Sequence, residues 1–237
     1  MLDELLRNAP VFLLLFARAL ALIEVAPLLS SDSIPQTAKV ALALFAAFAV
    51  YPSAQAEEWA RLPGMSQGLF SLGYALLVLG EAIIGIIIGF FMTIVFAAAS
   101  SAGQFFSLQM GFGASETFDP LAQIENPLMG QYLNLVAMLT FLLMGGLQDL
   151  FMGGFAASVR SLNVVELAAG HENIIFALAG GLGRLFINAI MISMPVLGTL
   201  LLTSLSTGLI SKAAPQINIL SEGFPISISV AFILIMA

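Results

Sequence analysis

Four charged side chains stand inside segments of the sequence that are otherwise apolar: Arg18, Glu24, Glu81 and Arg184. A charge in apolar surroundings is unfavourable unless it has a partner, so each of these groups needs one. They could form a proton or ion relay, or they could form ion pairs between helices and contacts with polar surfaces of other subunits. Arg18 and Glu24 are six residues apart, so they do not share a helical face and cannot simply neutralise each other.

The sequence offers few other reactive groups. His171 is the only histidine and cysteine is absent, which argues against a metal site, thiolate chemistry and disulfides. The serines have no base in a recognisable pattern, so a hydrolase lacks its constellation. The run 180–183, Gly-Gly-Leu-Gly, is not a phosphate loop because no strand precedes it. We therefore expect no enzyme activity, no metal and no cofactor.

The composition predicts an integral membrane protein. Of the 237 residues, 60% are hydrophobic and 9% are charged, and the mean hydropathy is +1.05, whereas a soluble domain carries about 25% charged residues. Most of the surface must therefore face lipid or other apolar protein. A net charge of −7 without a Lys/Arg cluster argues against nucleic acid and against a basic face on anionic lipid.

The apolar runs predict an all-α fold, because a helix needs about 20 apolar residues to cross the hydrocarbon layer. The runs occupy residues 10–29, 38–51, 68–99, 128–147, 174–210 and 225–237. The second run is too short to span alone, and the third and fifth exceed one crossing. Long helices of this kind either tilt strongly or are buried against other subunits. Residues 100–127 and 148–173 are predicted to be mixed loops, Pro195 predicts a kink, and we expect a C-terminal remainder beyond residue 237.

Glycines suggest where the helices approach each other. Gly85 and Gly89 are four residues apart, a spacing that permits close helix packing in an apolar environment. We predict the same packing role for Gly103.

The stretch 103–120 combines glycines with bulky apolar side chains. Irregular backbone at membrane depth is tolerated only when it is buried in protein or lines a cavity. A ring of such side chains could close a pore by dewetting while glycines let it move aside. An amphipathic loop at the membrane surface explains the same pattern, and the residues alone do not decide between the two.

The motifs in this stretch resemble those of a known family. Gln109-Met-Gly-Phe112 followed by Phe118-Asp-Pro120 resembles the loop signature of the FliR family of type III export-gate subunits, in its flagellar form. Further motifs of the family follow in order: Arg18, 26–28, 34–35, 39–40, Glu81, Gly85, Gly89, Gly103, 215–218 and 223–226. Glu116 departs from the pattern, in which we expect a small or apolar residue.

The resemblance implies one export-gate domain over residues 1–237, with N-terminal helices and a plug loop in 1–127 and further helices in 128–237. It implies long kinked helices arranged as a FliP-like part and a FliQ-like helical hairpin. Together with FliP and FliQ the chain would form a helical channel in the bacterial inner membrane, at the flagellar basal body. FlhB would surround this channel, FlhA would link it to ion-driven export, and unfolded flagellar proteins would pass through it.

The resemblance also implies roles for single residues. Five side chains would seal the pore: Phe105, Phe106, Met110, Phe112 and Phe118. Gly103, Gly111 and Gly113 would flex, and Asp119 with Pro120 would fix the turn that leaves the plug. A second hypothesis is a small secondary transporter that uses Glu81 and Arg184 as its site, and a third is a purely structural scaffold.

Overall fold

The computed structural model describes residues 2–54, 59, 71–111, 128–214 and 219–236, and in these ranges the chain forms helices joined by turns, without a strand. The all-α prediction is thereby confirmed. The helices are α1 (Leu2–Val25), α2 (Gln36–Val50), α3 (Leu72–Gln109), α4 (Leu128–Leu143), α5 (Gly146–Ser161), α6 (Val164–Ala169), α7 (His171–Ala213) and α8 (Ile219–Met236). Pro195 lies inside α7 and Pro225 inside α8.

The chain divides into two compact units. Unit 1 comprises Met1–Ile94 and Thr140–Gly181, and unit 2 comprises Val95–Leu139 and Leu182–Ala237. The divisions fall within α3, α4 and α7, so these three helices contribute residues to both units.

The core of unit 1 forms around α1, whose buried residues recur at helical spacing. The repeat of three and four residues places them on one face, as expected for an amphipathic helix. The buried side chains of α1 are Val11, Leu14, Leu15, Arg18, Ala19, Leu22 and Ile23. Helix α2 packs against α1 through the narrow face formed by Lys39, Ala43, Ala46, Ala47 and Val50. Phe45 and Phe48 on the other side of α2 are exposed.

The core of unit 2 is smaller. It joins the end of α3 and the start of α4 to the middle of α7 and to α8. Its buried apolar side chains are Phe106, Met110, Met129, Val196, Leu200 and Ala231.

A sharp bend of 75° separates α4 from α5. Gly145 stands at the bend with a φ of 79°, in the left-handed region that glycine enters without a steric penalty. Helix α5 then contains a π-helical turn over Asp149–Phe155. Most of 148–173 is therefore helical, and the prediction of a mixed loop there is wrong.

Two helices are long and apolar enough to cross a membrane, Leu72–Gln109 and Glu172–Ala213, and the bent pair α4–α5 raises the number to three if it counts as one span. This result, which concerns the described residues, confirms the predicted long apolar helices. Helix α3 continues ten residues past its predicted end at Ala99, so residues 100–109 are not loop. The apolar character falls there, but the backbone stays helical because Phe106 is buried in the core of unit 2.

Candidate functional site

The C-terminal end of α3 carries the first residues predicted to close a pore. Phe105 and Phe106 lie on the helix itself. Phe106 is 1% exposed and Met110 is fully buried, and both belong to the core of unit 2. Phe105 is half-buried. Phe106 and Met110 thus fix the end of the helix to the rest of unit 2.

Gly103 lies where α3 and α4 touch. A Cβ atom at Gly103 would overlap the carbonyl oxygen of Met129 and the Cα atom of Gly130. A Cβ atom at Gly130 would lie 3.0 Å from the carbonyl oxygen of Ser100. The two backbones are therefore in direct contact, which small residues permit. The contact also joins the two chain segments that flank residues 112–127.

Gly111 ends the described part of this segment. Its φ is 90°, a value that residues with a Cβ atom seldom adopt. Its N–H donates to the carbonyl oxygen of Leu108 at 3.2 Å, and the Met110 N–H donates to that of Phe106 at 2.9 Å. A Cβ atom at Gly111 would overlap Cδ1 and Cε1 of the Phe224 ring. Both the backbone and the contact with Phe224 require glycine at this position.

The other residues of the predicted plug lie outside the described residues: Phe112, Gly113, Glu116, Phe118, Asp119 and Pro120. The sealing role of Phe112 and Phe118, the flexing of Gly113 and the turn formed by Asp119 and Pro120 stay predictions.

A buried polar cluster surrounds Arg18 in unit 1. Arg18 Nε donates a hydrogen bond of 2.6 Å to Oε2 of Glu81, and both side chains are fully buried. The guanidinium also donates to Ser158 Oγ at 3.2 Å and to the Leu162 carbonyl oxygen at 2.8 Å, and its Cζ lies 5.4 Å from the centroid of the Trp59 ring. One arginine therefore connects α1 with α3, with α5 and with Trp59.

Glycines bring the two charged helices of this cluster together. A Cβ atom at Gly85 would overlap the carbonyl oxygen of Arg18, and one at Gly89 would lie 2.8 Å from Cβ of Val25. Helices α1 and α3 thus touch at the level of the ion pair. Oε1 of Glu81 is buried without a hydrogen-bond partner among the described residues.

The other two charges predicted to need partners differ from each other. Glu24 accepts a hydrogen bond of 3.2 Å from Lys39 Nζ, which also donates to the carbonyl oxygen of Ser30 at 3.1 Å. Arg184 is exposed on α7, and within the described part of the chain no ion pair with it is found. Sequence reasoning missed Lys39, Ser158 and Trp59 as partners, because each lies far from its partner along the chain or carries no distinctive pattern.

The contacts of these residues stabilise the structure. The described residues contain no group of three or more His, Cys, Asp or Glu side chains that could hold a metal ion. The Arg18 cluster binds helix to helix, and the Gly103–Gly130 and Gly111–Phe224 contacts bind the end of α3 to its neighbours. Such an arrangement holds and positions chain segments.

Comparison with known proteins identifies the family. The sequence model described as "Bacterial export proteins, family 1" matches residues 9–237. The chain belongs to this family. Because the match begins at residue 9 and runs to residue 237, the bacterial export family accounts for both units and for all the motifs named above.

Individual members of the family agree with this assignment. The chain is 32% identical to the flagellar biosynthetic protein FliR of Escherichia coli (strain K12) over 222 residues, which cover 93% of this chain and 80% of that protein. It is 29% identical to FliR of Bacillus subtilis (strain 168), with 96% and 85% covered, and 32% identical to FliR of Pectobacterium carotovorum, with 91% and 78% covered. The resemblance to the FliR family is confirmed.

Proposed function

We propose that this chain is a non-enzymatic subunit of the flagellar type III export apparatus in the bacterial inner membrane. The observation that carries the proposal is the family match over residues 9–237, together with relatives that bear the name flagellar biosynthetic protein FliR. With FliP and FliQ the chain forms the channel through which unfolded flagellar proteins leave the cytoplasm. FlhB lies around this channel, and FlhA links it to ion-driven export.

The length of α7 supports assembly with other subunits. At 1.5 Å per residue, its apolar stretch Glu172–Ala213, 42 residues long, extends for about 63 Å. The hydrocarbon layer is about 30 Å thick, and a helix tilted by about 40° would place only about 39 Å of its length in it. Only 22% of the most apolar part of this helix is buried within the chain. Apolar surface outside the lipid needs protein cover, which sister subunits supply.

Within this channel, residues 104–120 act as the plug. Phe106 and Met110 brace its start, since both are buried in unit 2. We assign the seal to Phe105, Phe112 and Phe118, which are bulky and apolar and therefore suited to exclude water and ions. Gly113 provides the flexible point, and Asp119-Pro120 fixes the turn at the end of the plug.

Purification of the protein from its own membranes tests the assembly. We expect extraction in mild detergent to yield a defined complex with FliP- and FliQ-like partners. Recovery of this chain alone, from cells that also produce those partners, would contradict the proposal.

Conductance measurements test the plug. Residues 112–120 are replaced by a Gly/Ser linker of equal length, so that the connection between Gly111 and Leu128 keeps its span. The control replaces residues 121–126 by the same kind of linker. We expect the assembled complex to conduct ions in a planar bilayer with the first replacement and to stay closed with the second. Closed channels in both cases would refute the sealing role.

The transporter hypothesis receives no support from the described residues. Glu81, one half of its supposed site, is bonded to Arg18 in the core of unit 1 and not to Arg184. The transporter hypothesis requires that the isolated protein bind a small solute unaided, which calorimetry on the purified chain would detect.

A further inference from the structure

Phe224 of α8 covers the end of α3. Its ring occupies the space in which a Cβ atom of residue 111 would stand, next to a backbone with a φ of 90°. Met110, which directly precedes Gly111, is fully buried in the core of unit 2. The ring therefore covers Gly111, the last described residue before residues 112–127.

A cavity adjoins the same ring. It has a volume of about 250 Å³ and is lined by Phe224 together with Gln109, Ser204, Thr207, Gly208 and Ser227. Phe224 itself is 40% exposed. The ring thus lies against Gly111 on one side and borders this open pocket on another, where the described residues leave space for it, so that a change of its side-chain rotamer could carry it off the glycine without moving the backbone of α8.

We propose that Phe224 is a positioning residue that holds the last turn of α3 and Gly111, directly before residues 112–120 of the plug. With its ring on Gly111, the last turn of α3 is fixed; with its ring in the cavity, that turn is free to open. Its effect on export rests on the proposed function, whereas the contact itself does not.

A substitution at Gly208 should keep the Phe224 ring on Gly111, which is the opposite of the effect of truncating Phe224. Gly208 lines the cavity, and a Cβ atom at Gly208 would meet no other atom of the described residues within 4 Å. A leucine at this position fills the space that the ring needs in order to leave Gly111. Truncation of Phe224 and filling of the cavity should therefore have opposite effects on the end of α3.

Thiol labelling tests the contact directly. The chain has no cysteine, so Met110→Cys introduces its only thiol at a buried site beside Gly111. Labelling is carried out on the assembled complex, and the label on this chain is measured after the subunits are separated by gel electrophoresis. We expect Phe224→Ala to raise the rate of maleimide labelling about tenfold, because local opening exposes the thiol. The control Ile233→Ala truncates an exposed apolar side chain on the same helix and should leave the rate unchanged. Equal rates in the two variants would overturn the proposal.

Function gives a second readout. We expect the assembled complex with Phe224→Ala to conduct ions. We expect Gly208→Leu to reduce secretion severalfold without an ion leak, and Gly208→Ala to secrete at close to the wild-type level. Faster labelling in Phe224→Ala without a leak would support the contact and refute the plug. If Phe224→Ala failed to assemble, unchanged secretion in Gly208→Leu would overturn the proposed movement of the ring.

Discussion

At the scale of single residues, Arg18 and Glu81 depend on each other. Both are fully buried, and a buried charge that loses its partner destabilises a fold strongly. We expect Arg18→Met and Glu81→Leu each to lower the free energy of unfolding by about 3–5 kcal/mol. The double variant removes both charges, so it should cost less than either single substitution. Thermal unfolding of the purified assembly measures all three.

The matched control for this pair is Arg160→Met. Arg160 is an exposed arginine of α5, and an exposed charge contributes about 0–1 kcal/mol. A double variant as unstable as the worse single variant would show that Arg18 acts mainly through Ser158 and the Leu162 carbonyl oxygen and not through Glu81.

Part of this cluster could be predicted from the sequence. An isolated charge in an apolar run indicates that a partner exists, and the structure gives partners to Arg18, Glu24 and Glu81. Which residues pair could not be predicted, because Arg18 and Glu81 are 63 positions apart and helical periodicity reaches only a few turns. The position of Phe224 against Gly111 was likewise hidden, although Phe224 belongs to a motif that resembles the family signature.

At the scale of elements, the contact between α3 and α4 depends on small residues. A methyl group at Gly103 would push against the backbone of Met129 and Gly130, and overpacking of this kind costs about 1–3 kcal/mol. We therefore expect Gly103→Ala to lower the melting temperature of the assembly. The control is Gly183→Ala in α7, where a Cβ atom would meet nothing within 4 Å in the part of the chain that the structure describes and where alanine favours the helix by up to about 1 kcal/mol. Equal effects of the two substitutions would contradict close packing at Gly103.

Helix α6 depends on a capping box at its first turn. The Asn163 side chain accepts from the N–H groups of Val165 and Glu166, and the Glu166 carboxylate accepts from the N–H of Asn163. Asn163→Ala should destabilise the protein by about 1 kcal/mol, while Asn163→Asp retains the cap. Thermal unfolding of both variants measures the difference. Equal stability would mean that other contacts of α6 suffice to hold it, such as that of Val164, whose side chain fills the space in which a Cβ atom of Gly80 would stand.

The element boundaries show why some predictions failed. Residues 100–109 look like loop because serine, glycine and glutamine interrupt the apolar pattern, yet Gly103 serves packing and the helix runs on to Gln109. Residues 148–173 look mixed for the same reason, although the Asn163–Glu166 capping box could have indicated the start of α6. Long apolar runs were easier to predict, because burial or lipid contact on all sides leaves a helix as the way to satisfy the backbone.

At the scale of the whole molecule, the exposed apolar side chains of α7 allow a test of whether lipid or protein covers this helix. Phe176 and Leu209 are 75% and 71% exposed, and the 33 residues of α7 between them correspond to a helix length of about 50 Å. A hydrocarbon layer of about 30 Å cannot contain both. If lipid alone covered α7, at least one of the two positions would tolerate a lysine, because that position would lie in water or among head groups.

We expect neither Phe176→Lys nor Leu209→Lys to be tolerated, because in the proposed assembly subunit interfaces would cover both ends of the helix, and an unpaired charge in such an interface is costly. The measurement is the amount of FliP- and FliQ-like partner that co-purifies with the tagged chain, at equal levels of the chain in the membrane. Asn173→Lys, at an exposed polar position one turn before Phe176, is the control and should retain its partners. Wild-type recovery with either Phe176→Lys or Leu209→Lys would assign that end of α7 to the aqueous or lipid phase.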